Sequence, residues 1–489
     1  MLAVLFRLPY FYRDVIDWDE SVFILMGQSI ADGNLPYTEV WDNKPPGGFA
    51  LFAVVQYLFP QSLLAVRLFG AVLVSLTAFL TYRLAVTVMR REAALLAGTL
   101  CCFAVSLLAS SGQAVMMEHV ANPFILLALL FAIGTKLKAR DALLLGALLA
   151  AAILIRTNLA YAVIITGAAF VLSWLPEGLS TAARATVFGA LGGLLILLAS
   201  TLPFLLSGTL DLYVTSVIRV PLAYSAFGLG IAETVQALLS SIAPRNSAQM
   251  LEAATLSKLV FWCLGTLGLL LMAIGLRPQD KIRARWGILL GALAVAIATV
   301  ANRQPFAHYL IQLMPFFAIG AAYALWRIGL CSGWRSLPSF GLVLLAALLM
   351  LIPPYQALHE RYLSGKPLYR GQSFTLAEYL RPRLGEGESI FVSRHILLYW
   401  LLDRTPPVPI AAFPNNIFLE EQIVKPLLGQ DSSSERLLNE ILDRRPTYLV
   451  LGGKDTNYVA VQSFANRVDT EYDVVGQARD VFILGRTDR

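Results

Sequence analysis

Charge is what this 489-residue chain has least of: Asp, Glu, Lys and Arg make up 14% of it, against 57% hydrophobic residues. A soluble domain carries about 25% charge, so a soluble globular chain is excluded and a polytopic membrane protein is indicated. Cysteine is scarce as well. Cys101, Cys102 and Cys263 lie in apolar runs and Cys331 follows one, which argues against a disulfide framework or a zinc-binding spacing. A Gly-rich phosphate loop is also missing, because Gly452-Gly453-Lys454 lacks the spacing and the following Ser or Thr. A nucleotide-linked substrate is therefore not expected. No small-residue cleavage site follows the first apolar stretch, so no cleavable signal peptide is expected. The formal charge of +6 does not mark a nucleic-acid partner, since the basic residues form short clusters between apolar runs without interleaved aromatics.

What the chain has in abundance is long apolar runs. They fall at about 63–82, 93–110, 119–135, 143–155, 159–174, 185–207, 256–276, 287–300, 307–326 and 337–354. Met1 to Tyr12 is too short for a core of about 30 Å, which needs roughly 20 residues, and it contains Arg7. Taken as the end of a first span, it brings the total to about eleven. Basic residues recur at Arg83, Arg90 and Arg91; at Lys136, Lys138 and Arg140; at Arg184; at Arg277, Lys281, Arg283 and Arg285; and at Arg327 and Arg335. If the spans alternate, these all lie on one side, the cytoplasmic one by the positive-inside rule. The opposite, extracytoplasmic side receives the loop 14–62, the 208–255 loop and the tail. The parity requires 143–155 and 159–174 to be two short helices meeting at Arg156-Thr157-Asn158, rather than one helix with a central arginine. A cell-membrane location, of the bacterial inner-membrane kind, is expected.

Residues 1–357 thus form a transmembrane catalytic domain and 358–489 a small extracytoplasmic α/β domain. In the tail, Ile390–Ser393, Tyr448–Leu451 and Val481–Leu484 read as buried strands and Ser433–Arg445 as an amphipathic helix. In the first outer loop, Asp19 to Ala31 and Pro46 to Phe59 read as helices too short to span, lying in the interface plane. The 208–255 loop, with Tyr213, Arg219, Tyr224 and Arg245, lacks a strong helical pattern and suits a lid.

The densest polar chemistry is in that first outer loop. Asp17, Asp19 and Glu20 place three carboxylates in four residues, and Lys44 is stiffened by Pro45 and Pro46. A carboxylate can take the proton of an attacking hydroxyl, and a cation can stabilise a departing anion. The structural alternatives are helix N-capping for the acids and a snorkelling interface lysine for Lys44. Further along, Glu118-His119 opens a span, Arg156 stands at a helix break, and Arg303 and His308-Tyr309 flank another outer turn. Capping and interfacial anchoring are the plainer readings for Glu118, His119, His308 and Tyr309. An ionisable residue placed as Arg156 is functional by default.

Asp19-Glu20, the Gly33-x-x-Pro36-Tyr37 turn and Lys44-Pro45-Pro46 together resemble the first outer loop of the GT-C glycosyltransferases. The branch of protein O-mannosyltransferases and lipid A aminoarabinose transferases is the nearest in pattern. The resemblance is specific over the first 60 residues and looser beyond. It implies the GT-C fold, a polyprenyl-phosphate sugar donor, an outward-facing site and inverting transfer to a glycan, lipid or protein acceptor. It makes Asp19 the catalytic base and Glu118 a second site carboxylate, while Glu20 beside Asp19 is read as positioning the acceptor or a metal, or as capping the following helix. Lys44, Arg156, Arg303, His308 and Tyr309 are then assigned to the donor phosphate. Arg156 matches a basic residue that the aminoarabinose transferases carry between two short helices. A divalent cation is compatible with these carboxylates, Glu118 and His119 being the candidate ligands. The competing class is a transporter or lipid flippase. That class would show repeated halves and midplane polar residues in several spans, and neither is visible here. An oligosaccharyltransferase is weakened because the tail lacks a Trp-Trp-Asp-type acceptor motif.

Overall fold

In lipid every backbone amide must be satisfied within its own segment, so apolar runs of this length fold as helices. The computed structural model describes residues 1–134, 138–243, 252–275, 282–331, 333–452 and 456–488. Lys136, Arg245, Arg277, Lys281, Gly453 and Lys454, named above, lie outside the described residues. The chain opens with α1 (Leu2–Arg7), α2 (Trp18–Ala31) and α3 (Pro46–Leu58). Next come α4 (Leu63–Val86), α5 (Arg91–Phe103, continued by a π-turn to Leu108), α6 (Met117–Ala132), α7 (Ala139–Ile155), α8 (Leu159–Trp174) and α9 (Leu179–Leu206). The short α10 (Leu210–Val214), α11 (Val220–Ala226) and α12 (Ile231–Ile242) precede α13 (Ala253–Ile274), α14 (Ile282–Ala301), α15 (Met314–Arg327) and α16 (Leu337–Leu363). Among the described residues, seven helices are long and apolar enough to cross a membrane: α4, α5 with its π-turn, α8, α9, α13, α14 and α16. The runs at α6, α7 and α15 are helical but shorter, at 16, 17 and 14 residues. The 208–255 loop is more helical than its sequence suggests, since α10 to α12 occupy most of its described part.

Two compact units divide the chain. The first comprises Met1–Phe11, Arg67–Ser200 and Gly228–Lys366 and holds most of the membrane helices. Its helices approach closely where both partners lack a side chain. A Cβ on Gly268 of α13 would stand 1.7 Å from the Gly320 carbonyl oxygen of α15. The Arg7 that looks out of place in an apolar stretch is fully buried. Its guanidinium donates to the carbonyls of Gly112, of Gln113 at 2.9 Å and of Ala114 at 3.1 Å, just ahead of α6. Arg67 adds a bond to the Gln113 carbonyl at 3.4 Å, and the Gln113 amide donates to Phe6 and Ser106 carbonyls.

The second unit comprises Tyr12–Val66, Thr201–Phe227 and Pro367–Arg489, so it takes in the loop 14–62 together with the tail. Helices α2 and α3 pack tightly, with a Cβ on Gly27 placed 2.7 Å from that of Phe52. Val22 to Met26 are buried, whereas Val54, Tyr57, Leu58 and Phe59 at the end of α3 are exposed. That is the apolar surface an interfacial helix offers to lipid. The tail adds α17 (Gln372–Leu380), capped by Asp14, whose carboxylate accepts from the Ser373 amide at 2.8 Å. It continues with β1 (Ile390–Val392), α18 (Leu397–Leu401), α19 (Lys425–Leu428), α20 (Ser434–Asp443) and β2 (Tyr448–Gly452), then α21 (Thr456–Ala460), α22 (Gln462–Glu471), β3 (Tyr472–Ala478) and β4 (Val481–Arg486). The sheet order is β1-β2-β4-β3, with β1 and β2 parallel and the other pairs antiparallel. The three expected strands are present, and β3 is an addition at the edge. Trp400 of α18 donates to the Gln56 side chain of α3 at 3.3 Å.

Candidate active site

The sequence-designated residues form two clusters, one in each unit. In the second unit the builder is the segment from Asp17 to Pro46. Asp17 caps α2, its Oδ1 accepting from the Asp19 amide at 3.0 Å, which leaves the Asp19 side chain for other contacts. Glu20, one residue on, is buried in the first turn of α2. After α2 the chain turns through Gly33 at φ 98° and Tyr37 at φ 75°. A left-handed tyrosine is a costly conformation, and here it is held by tertiary contacts. The Tyr37 hydroxyl donates to the Lys44 carbonyl at 2.8 Å, and its ring meets Phe49 and Phe204. Trp41, fully buried, donates from its indole nitrogen to Ser216 Oγ at 2.9 Å. The loop is thereby clamped on both sides of Asp42, and the two prolines fix the exit of Lys44 into α3.

The product of this clamping is a lysine between two carboxylates. Lys44 Nζ lies 3.4 Å from Asp19 Oδ2, and 2.9 and 3.2 Å from the two oxygens of Asp42. The Phe23 ring centroid is 5.2 Å away, and that of Phe413 is 6.0 Å. Asp42 is the residue the sequence reading missed. Burial pushes its carboxyl above the ordinary range, and the charge of Asp19 adds to this while Lys44 opposes it. Burial likewise raises the Tyr37 phenol. The only sequence hint of Asp42 is its place two residues before a lysine in a clamped loop.

In the first unit, the chain breaks where the parity of charge required it. α7 ends at Arg156, whose backbone is extended, and α8 begins at Leu159. The Arg156 guanidinium reaches Glu118 Oε1 at 3.0 Å and lies 4.4 Å from the Tyr309 ring centroid. Both charged partners are buried. The second Glu118 oxygen is buried and meets no hydrogen-bond donor among the described residues. Buried amides hold the surroundings: Asn122 donates to the Ile311 carbonyl at 3.0 Å, and Asn158 to the Ala298 carbonyl at 3.3 Å. His308 stacks on Phe306 and meets Tyr309 edge-on at 4.8 Å.

Two residues have other engagements. Arg303, left-handed at φ 56°, donates to the Leu229 carbonyl at 2.7 Å and the Gly228 carbonyl at 3.2 Å, so it ties down that turn. His119 accepts from the Met116 amide through Nδ1 at 3.1 Å, inside the start of α6. Among the described residues, no three His, Cys, Asp or Glu side chains come together to hold a metal ion. Of the candidate ligands, Glu118 faces a guanidinium and His119 spends Nδ1 on backbone.

The arrangement supplies a carboxylate at a helix start beside an ammonium group, and a second, buried guanidinium–carboxylate pair against a tyrosine. The model of the family described as dolichyl-phosphate-mannose-protein mannosyltransferase matches residues 43–206. No curated protein sequence matches the chain. Among solved structures, the chain is similar to ArnT from Cupriavidus metallidurans bound to undecaprenyl phosphate, with a TM-score of 0.63 at 14% identity over 99% of this chain and 96% of that one. It is similar also to the archaeal oligosaccharyltransferase AglB from Archaeoglobus fulgidus in complex with an inhibitory peptide and a dolichol-phosphate, at TM-score 0.51, 15% identity, and 99% and 73% coverage. The mycobacterial arabinofuranosyltransferase AftD gives TM-score 0.50 at 15% identity, with 99% and 39–41% coverage across two structures (0.49 in the second). The fold is that of the GT-C glycosyltransferases, and within it residues 43–206 carry the sequence pattern of the dolichyl-phosphate-mannose-protein mannosyltransferase family.

Proposed function

We propose that this protein transfers a sugar from a polyprenyl-phosphate donor to a hydroxyl or phosphate of an acceptor at the extracytoplasmic face, with inversion at the anomeric carbon. The observation that carries this reading is the Asp19 carboxylate 3.4 Å from the Lys44 ammonium at the start of α2, in a chain with the GT-C fold. Asp19 takes the proton of the acceptor oxygen as that oxygen bonds to the anomeric carbon. The bond from that carbon to the lipid phosphate breaks, and the phosphate leaves with the electron pair. Lys44 stabilises the charge it gains. Glu118 orients Arg156, and Tyr309 supports the guanidinium from its face. Arg303 acts through the turn it holds, and His308 through its packing on Tyr309. Glu20 fixes the first turn of α2.

A lipid-borne donor also suits the first unit, which contains a cavity of about 660 Å³ lined chiefly by apolar residues such as Leu238, Trp262, Leu270 and Phe317. Two of the neighbours named above were solved with undecaprenyl phosphate and with a dolichol-phosphate, which favours the same carrier class. The test is transfer from defined polyprenyl-phosphate sugars to candidate glycan, lipid and protein acceptors, comparing the parent with Asp19→Asn. Activity in the parent and its loss in D19N is the expected result. Full activity in D19N would remove Asp19 from the chemistry, and no transfer from any lipid-linked sugar would remove the donor class.

A further inference from the structure

The proposed reaction needs Lys44 to meet a phosphate, yet the lysine already has a counter-ion. Its ammonium group is bound by both oxygens of Asp42, at 2.9 and 3.2 Å, more closely than by Asp19 at 3.4 Å. The Asp42 side chain is almost fully buried, whereas those of Lys44 and Asp19 keep some exposure, 13% and 17%. Asp42 therefore holds the lysine from the protein side, and the free approach to the ammonium is from the side of Asp19.

The loop leaves Asp42 little room to withdraw. Trp41 before it is pinned by Ser216 and by its amide on the Pro409 carbonyl at 3.0 Å. After it, the Asn43 amide donates to Asp42 Oδ1 at 2.9 Å. Lys44 has the longer side chain of the two, a four-carbon stem that ends in an ammonium group near the Phe23 and Phe413 rings, so it is the partner that can swing. A dianionic or monoanionic phosphate arriving at Lys44 thus meets an ammonium group whose charge is already matched, with two carboxylates in its neighbourhood. It binds only in so far as it draws the lysine away from Asp42.

We propose that Asp42 is the resident counter-ion of Lys44, exchanged for the lipid phosphate when the donor binds and re-formed to release the lipid phosphate after transfer. This rests on the reading of Lys44 as a phosphate ligand and gives that ligand its affinity setting. With the lysine turned toward phosphate, Asp42 is a buried carboxylate whose remaining neighbours are the Asn43 amide, the like charge of Asp19 and the Tyr37 phenol. The like charge of Asp19 disfavours its charged form, as burial already does. Exchange is consequently favoured when Asp42 takes up a proton, and donor-phosphate affinity rises as the pH falls.

The test is binding of undecaprenyl phosphate to the full chain in detergent, with undecaprenol as the control that lacks the phosphate. Asp42→Asn, which keeps the side-chain volume and removes the competing charge, should bind the phosphate tighter by about tenfold or more, the low end for close desolvated charge pairs. Asp42→Glu should bind like the parent. A D42N variant that folds and binds no tighter, or more weakly, overturns the proposal. Lys44→Met separates the two readings. Weakened binding in K44M with D42N unchanged would discard the exchange alone, whereas undiminished binding in K44M would discard Lys44 as a phosphate ligand. Should D42N fail to fold, the parent decides. Affinity that strengthens from neutral to mildly acid pH supports exchange, because protonating the phosphate itself acts in the opposite direction; a flat or falling affinity refutes it.

Discussion

Neutralising Glu118 should unsettle the first unit more than any surface change could, and neutralising Arg156 with it should restore most of what is lost. The pair stands 3.0 Å apart with side-chain exposures of 7% and 0%. At that distance and an effective dielectric of about 20, the attraction is about 5–6 kcal/mol. Much of this is offset by removing both charges from water, so the intact pair adds little net stability. Breaking it is different, because one buried charge then loses its compensation, at a cost of about 3–5 kcal/mol. Glu118→Gln and Arg156→Met should each fall in that range, and the double variant should lie close to the parent. The coupling energy from the cycle should therefore be about 6 kcal/mol or more. Denaturation of the detergent-solubilised chain, followed by tryptophan fluorescence, measures it. A coupling below about 1 kcal/mol, the worth of an exposed pair, would refute the reasoning.

Other outcomes follow from single contacts. Asp17→Ala removes the cap of α2 and should cost about 1 kcal/mol, while leaving the pH profile of transfer in place. Gly268→Val pushes a side chain into the Gly320 carbonyl, 1.7 Å from its Cβ, and should reduce the folded yield sharply, read by size-exclusion chromatography. Trp41→Phe takes the hydrogen bond from Ser216 and should cost about 1–2 kcal/mol, read by thermal unfolding. Burial raises the Asp42 carboxyl above its usual value of 3.8, so its ionised form is a burden on the folded state. That burden is absent below the usual value and grows as the pH rises through the raised one. The stability of D42N relative to the parent should accordingly increase with pH, measured by thermal unfolding across the acid range.

Much of the architecture could be read from the amino acids because the bilayer imposes one rule on every span. Each long apolar run became a helix, and the break at Arg156 followed from charge parity alone. The helix starting near Asp19 and its acidic cap were equally legible, since capping is local chemistry. The edge strand β3 was not, because its exposed face and its irregular pairing between Val474 and Gly476 erase the strand pattern. The helices of the 208–255 loop were hidden for a similar reason. A π-turn at Thr215–Arg219 and Pro221 interrupt their periodicity. Among the candidate residues, Glu118 and Arg156 announced themselves as charges in apolar surroundings, and Asp19 and Lys44 by the acidic cluster and the prolines beside them. Asp42 did not, because its importance comes from a clamp made by Trp41, Ser216 and Tyr37, which are far apart in sequence or unremarkable in type. For Arg303 and His119 the residue type was informative and the partner was not: both turned to backbone groups that no sequence pattern marks.

The arginine in α1 places a constraint on biosynthesis. Arg7 finds its carbonyl partners in Gly112, Gln113 and Ala114, the first of them 105 residues later. At a synthesis rate of about 5–20 residues per second, its charge waits roughly 5–20 s before those groups have left the ribosome. During that interval the opening helix has no settled berth and must stay at the membrane margin or in the care of the insertion machinery. Only when the turn ahead of α6 emerges can α1 seat its arginine, so this helix settles after α4 and α5 have been made.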